Sequence, residues 1–323
     1  MSTNFTQVYQ SLAQSPRLLM EARLHPLQGE RFQPTGFPDL GPARYTLADG
    51  TEMLLLESPQ SVANRMELAC WDEAAQDLIA QLRGLPYIRV LDEGGEPLTN
   101  SLLEAHRINS EYIMKSGGKD SAFSQQFQTE IEYRKDGRVN WKKFHVALLK
   151  YDPGSLIHGA FLEEIGGRLR VTRALSGFIE ARNVRVAEAG GVKNNIVQPE
   201  LKGGAGNVPY HRTEFTAESI TAFFNLDLSL LRSYGQADDA LKLLVALALL
   251  KVRRFLSTGL RLRTACDLQV HGELTVTRPD GFQVPPEEDL LAECQRLVVA
   301  CKKQFAGITE VKWKPGKAVA SAS

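Results

Sequence analysis

The residues best suited to chemistry are those that bind phosphate, and the first such group opens a predicted helix. Ser58 and Pro59 are typical of a helix cap and a first helical turn. The free N–H groups of that turn attract an anion. Ser61, Asn64 and Arg65 follow on neighbouring faces of the helix, so their side chains add donors toward the same anion. Ordinary capping together with a solvated arginine explains the same residues.

A second polar group lies in and after a long segment that is rich in glycine and asparagine, 190–206. Lys193 and Asn194 lie near the start of this segment, and His211 and Arg212 follow its end, like the two arms of an extended hairpin. Arg, Lys and Asn donate to phosphates and base edges, and His stacks on bases. A mobile surface loop is the alternative interpretation.

The densest basic run extends from Lys251 to Arg263, with five cations and no acid between them. Arg261 and Arg263 project from one face of a predicted strand. On an RRM-like sheet, that face is where RNA lies. The alternative is a solvated helix end, because cations are favourable near a helix C-terminus.

The loop Gly29–Gly41 is neither helix interior nor central strand, since it holds three glycines and two prolines. It also carries Arg31, Phe32 and Gln33, which an idle loop does not need. We therefore expect a pinned, functional loop.

Signatures of enzymes and metal sites are missing from the sequence. There is no GxSxG, HExxH, Walker A or GxGxxG motif, and the four cysteines form no CxxC pair. His145 and His158 have no cysteine or acidic companion at ligand spacing. We therefore expect no catalytic site, no metal and no cofactor. The residues left for an alternative nuclease are Asp39, or Asp152 with His158.

Composition sets the remaining bounds. The 323 residues, of which 43% are hydrophobic, suffice for one large domain or two ordinary ones. The 38 basic and 38 acidic residues argue against binding nucleic acid by bulk attraction, but allow a local basic groove. No signal-like pattern opens the sequence, and its most apolar run, Leu243–Leu250, is much shorter than the roughly 20 residues that span a bilayer. We expect a cytoplasmic protein with reduced thiols.

Six segments carry the clearest periodicity and have to position these residues. In chain order they are strand Arg17–Leu24, helix Ser58–Arg83, strand Phe178–Ala187, strand Ile220–Leu230, helix Ala237–Leu256 and strand Leu260–Val270. The order βαββαβ predicts an α+β fold of the ferredoxin-like or RRM-like type. Around this palm, 1–272, we predict inserted regions at about 84–167 and 190–212. We also predict a helix and a strand within 273–311 that pack on the palm, and a disordered basic tail, 312–323.

Eight blocks of the sequence resemble the backbone subunit of the type I-G (formerly I-U) CRISPR surveillance complex, or Cascade, a member of the RAMP superfamily. They are RFQPTGFPDLG (Arg31–Gly41), ESPQSVANRMELACWD (Glu57–Asp72), LTNSLLEAHRINSEYI (Leu98–Ile113), KYDPGSLIHGAF (Lys150–Phe161), RALSGFIEARNV (Arg173–Val184), GGVKNN (Gly190–Asn195), NVPYHRTEFTAESITAFFNLDL (Asn207–Leu228) and GLRLRTACDL (Gly259–Leu268). The segment after Gly272 takes no part in the resemblance.

The resemblance implies an RRM-like palm with a thumb inside 190–212. It also implies a head-to-tail filament of copies along one CRISPR RNA, assembled with other Cascade subunits. The guide RNA then pairs with target DNA, so the protein reads shape rather than sequence. The predicted RNA-binding residues are Arg31, Phe32, Gln33, Ser61, Asn64, Arg65, Lys193, Asn194, His211, Arg212, Arg261 and Arg263.

Two alternatives stay open at this point. The first is a metal-dependent RNA nuclease of the RAMP superfamily, because a loop acid of the backbone subunit cuts RNA in related RNA-targeting complexes. Asp39 is such an acid, although the type I resemblance argues against cleavage. The second is a general single-stranded RNA-binding module outside CRISPR.

Overall fold

The computed structural model describes residues 3–37, 41–194 and 207–316, which fold into a mixture of helices and largely antiparallel sheets. The strands are β1 (Arg17–Pro26), β2 (Gly36–Phe37), β3 (Gly41–Thr46), β4 (Glu52–Glu57), β5 (Trp71–Asp72), β6 (Asp77–Leu78), β7 (Tyr87–Leu91), β8 (Pro97–Asn100), β9 (Lys115–Ser116), β10 (Lys119–Asp120), β11 (Ala160–Leu162), β12 (Leu169–Val171), β13 (Leu175–Arg182), β14 (Arg185–Asn194), β15 (Asn207–Thr216), β16 (Ser219–Asp227), β17 (Arg261–Arg263), β18 (Cys266–Val270), β19 (Thr275–Arg278) and β20 (Ile308–Lys312). The helices are α1 (Phe5–Leu12), α2 (Pro59–Leu68), α3 (Glu111–Met114), α4 (Ala122–Glu130), α5 (Trp141–Tyr151), α6 (Pro153–His158), α7 (Leu228–Ser233), α8 (Asp238–Thr258) and α9 (Glu287–Cys301).

The main sheet has the strand order β17-β18-β1-β16-β13-β4-β3-β2, and β19 pairs with β1 beside β18. Its pairs are antiparallel, and β1 runs against β16 from Arg17 opposite Asp227 to Leu24 opposite Ile220. The period-2 pattern of β1 buries Leu18, Met20, Ala22 and Leu24, as the sequence predicts.

Helices α2 and α8 cover this apolar face. α2 packs against β13, α8 packs against β18, and the two helices contact each other. α8 has acidic residues in its first turn and buries a long leucine-rich surface. The core is therefore a layer between the sheet and the helices.

The main sheet curls so that its two ends meet. Gln33 lies just before the end strand β2, and its N–H donates to the carbonyl of Ala265, in the turn between β17 and β18, at 2.7 Å. The curl brings the loop around Gln33, the end of β4 and β17 to one side of the molecule.

Within residues 84–167, Phe123, Phe127, Phe144 and Tyr151 pack together, and they belong to the same hydrophobic core as the buried residues of the main sheet. β20 pairs in parallel with β7, which lies within 84–167, so the prediction that the strand of 273–311 packs on the palm is wrong. The helix of 273–311, α9, packs against α8.

The predicted tail begins too early. The N–H of Trp313 donates to the Leu91 carbonyl, and the N–H of Gly117 donates to the Lys314 carbonyl. These bonds continue the β20–β7 pairing beyond Lys312, so residues 313–316 are held in place. The rest of the predicted tail, 317–323, lies outside the described residues.

The predicted helix Ser58–Arg83 is wrong after Leu68. The chain leaves α2 and forms the short hairpin β5–β6, in which Trp71 and Leu78 are paired and both buried. The turn is stabilised by Asp72, whose Oδ1 accepts from the N–H of Ala75 at 3.1 Å. Burial of Trp71 by tertiary packing overrides the helical pattern.

Two strand boundaries also differ from the prediction. β16 ends at Asp227, because its carboxylate caps α7 by accepting from the N–H of Leu230 at 2.9 Å. The predicted strand Phe178–Ala187 begins earlier, at Leu175, and is interrupted at Asn183, which has a φ of 52°. Gly177 stays inside β13, where an added Cβ would lie 2.6 Å from the ring of Phe224.

Candidate nucleic-acid interface

A two-stranded ribbon made of β14 and β15 forms a sheet of its own beside the main sheet. Its register runs from Arg185 opposite Thr216 to Asn194 opposite Asn207. The predicted hairpin arms are therefore paired strands, and they begin earlier than the predicted limits 190–212. The far end of the hairpin, 195–206, lies outside the described residues.

Four predicted RNA contacts lie on this ribbon. The backbones of Lys193 and Asn194 pair with Val208 and Asn207 near its far end. His211 is exposed, with its Nε2 4.0 Å from the Glu188 carboxylate, and Arg212 is partly exposed. The ribbon thus presents His211 and Arg212 to solvent.

The loop before β2 is pinned to the base of the ribbon by Phe32. Its N–H donates to the Phe215 carbonyl at 2.9 Å, and the Phe215 N–H donates back at 2.8 Å. The Phe32 side chain is 1% exposed and belongs to the core. Its prediction as an RNA contact is therefore wrong, because no ring face is free to stack on a base. Gln33 is half-buried beside it.

Arg31 and Arg212, which are far apart in the sequence, share one carboxylate at the base of the ribbon. Glu214 is buried, with Oε2 3.0 Å from Arg31 and Oε1 3.4 Å from Arg212. Arg44 lies over the Phe215 ring at 5.9 Å. Arg44 is itself paired with Glu52 at 3.2 Å, so the excess of positive charge here comes from Arg31 and Arg212, which share the single Glu214 carboxylate. The sequence reasoning missed both Glu214 and Arg44.

The start of α2 is capped as the sequence predicts: the Ser58 hydroxyl accepts from the Ser61 N–H at 3.3 Å. Ser61 is half-buried, and Asn64 is exposed on the next turn. These two residues remain available at the surface of the helix, or close to it.

Arg65 and Arg263 are held together by Glu57, a buried residue that the sequence reasoning missed. The Glu57 carboxylate lies 3.3 Å from Arg65 and 2.6 Å from Arg263. Arg65 also donates to the carbonyls of Arg261 and Leu262. This Glu57 cluster (Glu57, Arg65, Arg263) joins α2, β4 and β17. Arg65 uses Nη1 and Nη2 inside the fold and Arg263 uses Nη2, whereas Arg65 Nε and Arg263 Nη1 are buried without a partner among the described residues.

The basic run 251–263 does not form one surface. Lys251 is buried, Arg253 donates to the carbonyls of Val284 and Pro285, and Arg254 is paired with Glu287. Arg261 is exposed. The helical part of the run therefore packs against α9 and the segment before it, and the predicted RNA contacts of the run are confined to Arg261 and Arg263 on β17.

Five charged or titratable residues from distant segments form a buried network: Glu67, Arg107, Asp152, His158 and Lys251. Arg107 bonds both Glu67 and, through two nitrogens, Asp152, with the shorter of those contacts at 2.6 Å. Lys251 lies 2.6 Å from Glu67 and 3.1 Å from His158 Nε2. Although burial raises the pKa of Glu67, the cations of Lys251 and Arg107 outweigh it and hold that pKa well below the usual range. The network is electrically balanced.

His158 is neutral in this network. Burial and the neighbouring Lys251 lower its pKa well below 6.5. Asp152 is also buried, and its carboxylate accepts from Arg107 and from the Ser155 hydroxyl, the latter at 2.7 Å. Asp152 is 1% exposed and bonded to Arg107, and His158 is 6% exposed and bonded to Lys251, so this geometry does not favour the hypothesis of a nuclease built on Asp152 and His158. Asp39, the other candidate, lies outside the described residues.

The sheet face opposite the helices is polar and aromatic. Phe178 and Phe223 stack across β13 and β16 with ring centroids 5.1 Å apart. Arg23 donates to the Thr221 hydroxyl, and Arg17 pairs with Asp227 at 3.0 Å. Residues of β13 alternate between buried and partly exposed, and Phe178 lies on the partly exposed side.

The described residues contain neither a cluster suited to a metal ion nor a helix suited to a membrane. Within residues 3–37, 41–194 and 207–316, no three His, Cys, Asp or Glu side chains converge as a metal site would require. In the same residues, no helix combines the length and the apolar character needed to cross a membrane.

Residues 18–186 match the model of a protein family described as CRISPR-associated protein GSU0053 (Cas_GSU0053). No curated protein sequence matches the chain. A chain of a solved "CRISPR RNA-guided surveillance complex, pre-nicking" is similar at a TM-score of 0.43 and 15% identity, over 79% of this chain and 74% of that chain. A chain of another "CRISPR RNA-guided surveillance complex" is similar at a TM-score of 0.40 and 14% identity, over 88% of this chain and 84% of that chain. Csc2 from Thermofilum pendens is similar at a TM-score of 0.31 and 11% identity, over 91% of this chain and 78% of that chain.

Proposed function

This chain belongs to the CRISPR-associated GSU0053 family, and from that membership we propose that it is a guide-RNA-binding subunit of a CRISPR ribonucleoprotein complex. The observation that carries the proposal is the paired ribbon β14–β15, which stands apart from the main sheet with an excess of cations at its base. A projecting ribbon with a positive base is suited to a nucleic-acid backbone.

The binding we propose tolerates any guide sequence. Arg31 and Arg212 have fixed positions because they share Glu214, so they present their remaining donors to phosphates. His211 on the ribbon and Asn64 on α2 add contacts that do not require a particular base. Affinity then comes from phosphates and shape, and the guide itself supplies the specificity for target DNA.

The finer assignment is the backbone subunit of a type I-G Cascade. In it, β18, β1, β16 and β13 with α2 and α8 form the RRM-like palm, and the ribbon is the thumb. Copies of the chain polymerise head-to-tail along the CRISPR RNA, as heterologous interfaces permit, and other Cascade subunits complete the complex. The subunit is a scaffold without catalysis.

The test is to express the chain with a CRISPR array and its partner subunits, purify it at moderate salt and sequence the RNA that accompanies it. Uniform RNA that contains spacers is the expected result. Bare protein or random cellular RNA would overturn the proposal. Incubation of the purified complex with Mg²⁺ or Mn²⁺ tests the scaffold assignment, because a scaffold leaves the RNA intact whereas a nuclease shortens it.

A further inference from the structure

A cleft of about 510 Å³ lies between α2 and the hairpin formed by β11 and β12. It shares no residue with the ribbon or with the Glu57 cluster. Its floor includes Glu67, Arg107 and His158 of the buried network, and Asn64 lies on its α2 side. The volume is within the range of about 300–1,000 Å³ that is usual for small-molecule sites.

The hairpin side of the cleft presents an aromatic ring beside a cation. Phe161 on β11 is directly opposite Arg170 on β12. Residues opposite each other on antiparallel strands have Cβ atoms about 5 Å apart on the same face. Their neighbours along both strands are buried, so the pleat directs this pair outward, and Phe161 is 48% exposed.

A second arginine follows the hairpin. The half-buried Arg173 donates from Nε to the His158 carbonyl at 3.3 Å. Within the part of the chain that the structure describes, neither Arg170 nor Arg173 forms an ion pair. The buried network at the floor is balanced, because the cations Arg107 and Lys251 face the carboxylates Glu67 and Asp152. Among the residues that line the cleft, Glu163 is the one further acid. The cleft is therefore positive.

The backbone is shaped to form this cleft. Gly159 connects α6 to β11 with a φ of 83°, and an added Cβ would lie 2.9 Å from the Val171 carbonyl oxygen. Only glycine permits the two chain segments to approach so closely at that angle. This approach fixes the position of Arg173 against His158.

We propose that this cleft binds one nucleotide unit, with its phosphate on Arg170 and Arg173, its base on the Phe161 ring and Asn64 at the base edge. Arginine pairs well with phosphate, and base stacking on an aromatic ring tolerates any base. The nucleotide comes either from a single strand or from the free pool. Only the first source rests on the proposed function.

The experiment uses the full chain with two probes, uridine 5′-monophosphate and a short fluorescent single-stranded RNA. The variants are Phe161→Ala, Arg170→Ala and their combination. The controls are Leu98→Ala and Arg138→Ala, which remove an exposed apolar side chain and an exposed arginine outside the cleft. All are surface changes, so thermal unfolding should stay close to that of the unaltered chain.

We expect the double variant to weaken binding of the responsive probe about tenfold or more, since a stacked base contributes roughly 1–3 kcal/mol. A response with RNA alone identifies a strand as the source, and saturable binding of the mononucleotide identifies the free pool. If variants and controls bind both probes equally well, the proposal that the cleft binds a nucleotide is overturned, whereas the proposal that the chain binds RNA is not. If the unaltered chain binds no RNA, the proposed function fails, and the mononucleotide titration still decides the cleft: saturable binding supports it and no binding overturns it.

Discussion

At the scale of single residues, His158 is the clearest example of a group whose ionisation is controlled by the fold. It is buried against Lys251, Glu67, Arg107 and Arg173, and its pKa lies well below 6.5. The folded protein therefore excludes a proton that the unfolded chain binds near pH 6.5. By linkage, the free energy of unfolding must fall as the pH decreases through this value.

We predict that the free energy of unfolding decreases between pH 7 and pH 5, with a contribution from His158 of at most about 1.4 kcal/mol per pH unit. His158→Gln should reduce this slope, although His145, whose pKa burial also lowers, keeps part of it. Urea denaturation across this pH range is the measurement, with the exposed His211→Gln as the control. An unchanged slope in His158→Gln would contradict the assignment.

Arg65 supports a second prediction at this scale. Arg65→Ala removes one partner of the buried Glu57 and leaves two carbonyls without their donor. We expect a loss of about 1–3 kcal/mol in the free energy of unfolding. Lys143→Ala removes an exposed ion pair with Glu132 and should cost less than about 1 kcal/mol.

If Arg65→Ala and Lys143→Ala have equal free energies of unfolding, the Glu57 cluster has no structural role. RNA binding gives a separate readout. If the RNA affinity of folded Arg65→Ala depends less steeply on salt than that of the unaltered chain, Arg65 also contacts phosphate. The resemblance of the block Glu57–Asp72 predicts such a contact.

At the scale of elements, what the sequence predicts well is local. The apolar alternation of β1 and the apolar stripe of α8 follow from periodicity over neighbouring residues. The pairing of Glu57 with Arg263 joins residues 206 positions apart. No local pattern contains such a contact, so Arg263 was predicted to be a surface cation and Phe32 a loop aromatic. The ribbon was predicted because polar arms flank its glycine-rich centre.

The ribbon can be tested as an element. We propose to replace residues 190–211 by Asn-Gly, which joins the paired residues Ala189 and Arg212 through a two-residue turn. The palm should unfold at nearly the same temperature, since the removed part forms no strand of the main sheet. Binding of single-stranded RNA should fall at least tenfold.

Asp49→Asn places the same Asn-Gly turn at the tip of β3–β4 and serves as the control, with RNA binding expected to be unchanged. If the shortened chain binds RNA as tightly as the unaltered one, the ribbon is not the gripping element. The surface on α2 and the β11–β12 cleft would then carry the binding.

At the scale of the whole molecule, a chain of zero net charge can still present local positive surfaces, as the proposed function requires. Four basic residues are paired with buried carboxylates in the Glu57 cluster and in the buried network: Arg65, Arg263, Arg107 and Lys251. Arg31 and Arg212 share one carboxylate at the ribbon base, and Arg170 and Arg173 line the cleft. Positive charge is therefore local rather than spread over the molecule.

The most direct test of the central claim is to count copies of the chain on guides of different length. The complex is purified with two CRISPR RNAs whose spacers differ in length, and native mass spectrometry gives the composition of each. A filament subunit predicts more copies on the longer guide, with the other subunits unchanged. The same number of copies on both guides, or protein without RNA, would contradict a subunit that polymerises along the guide.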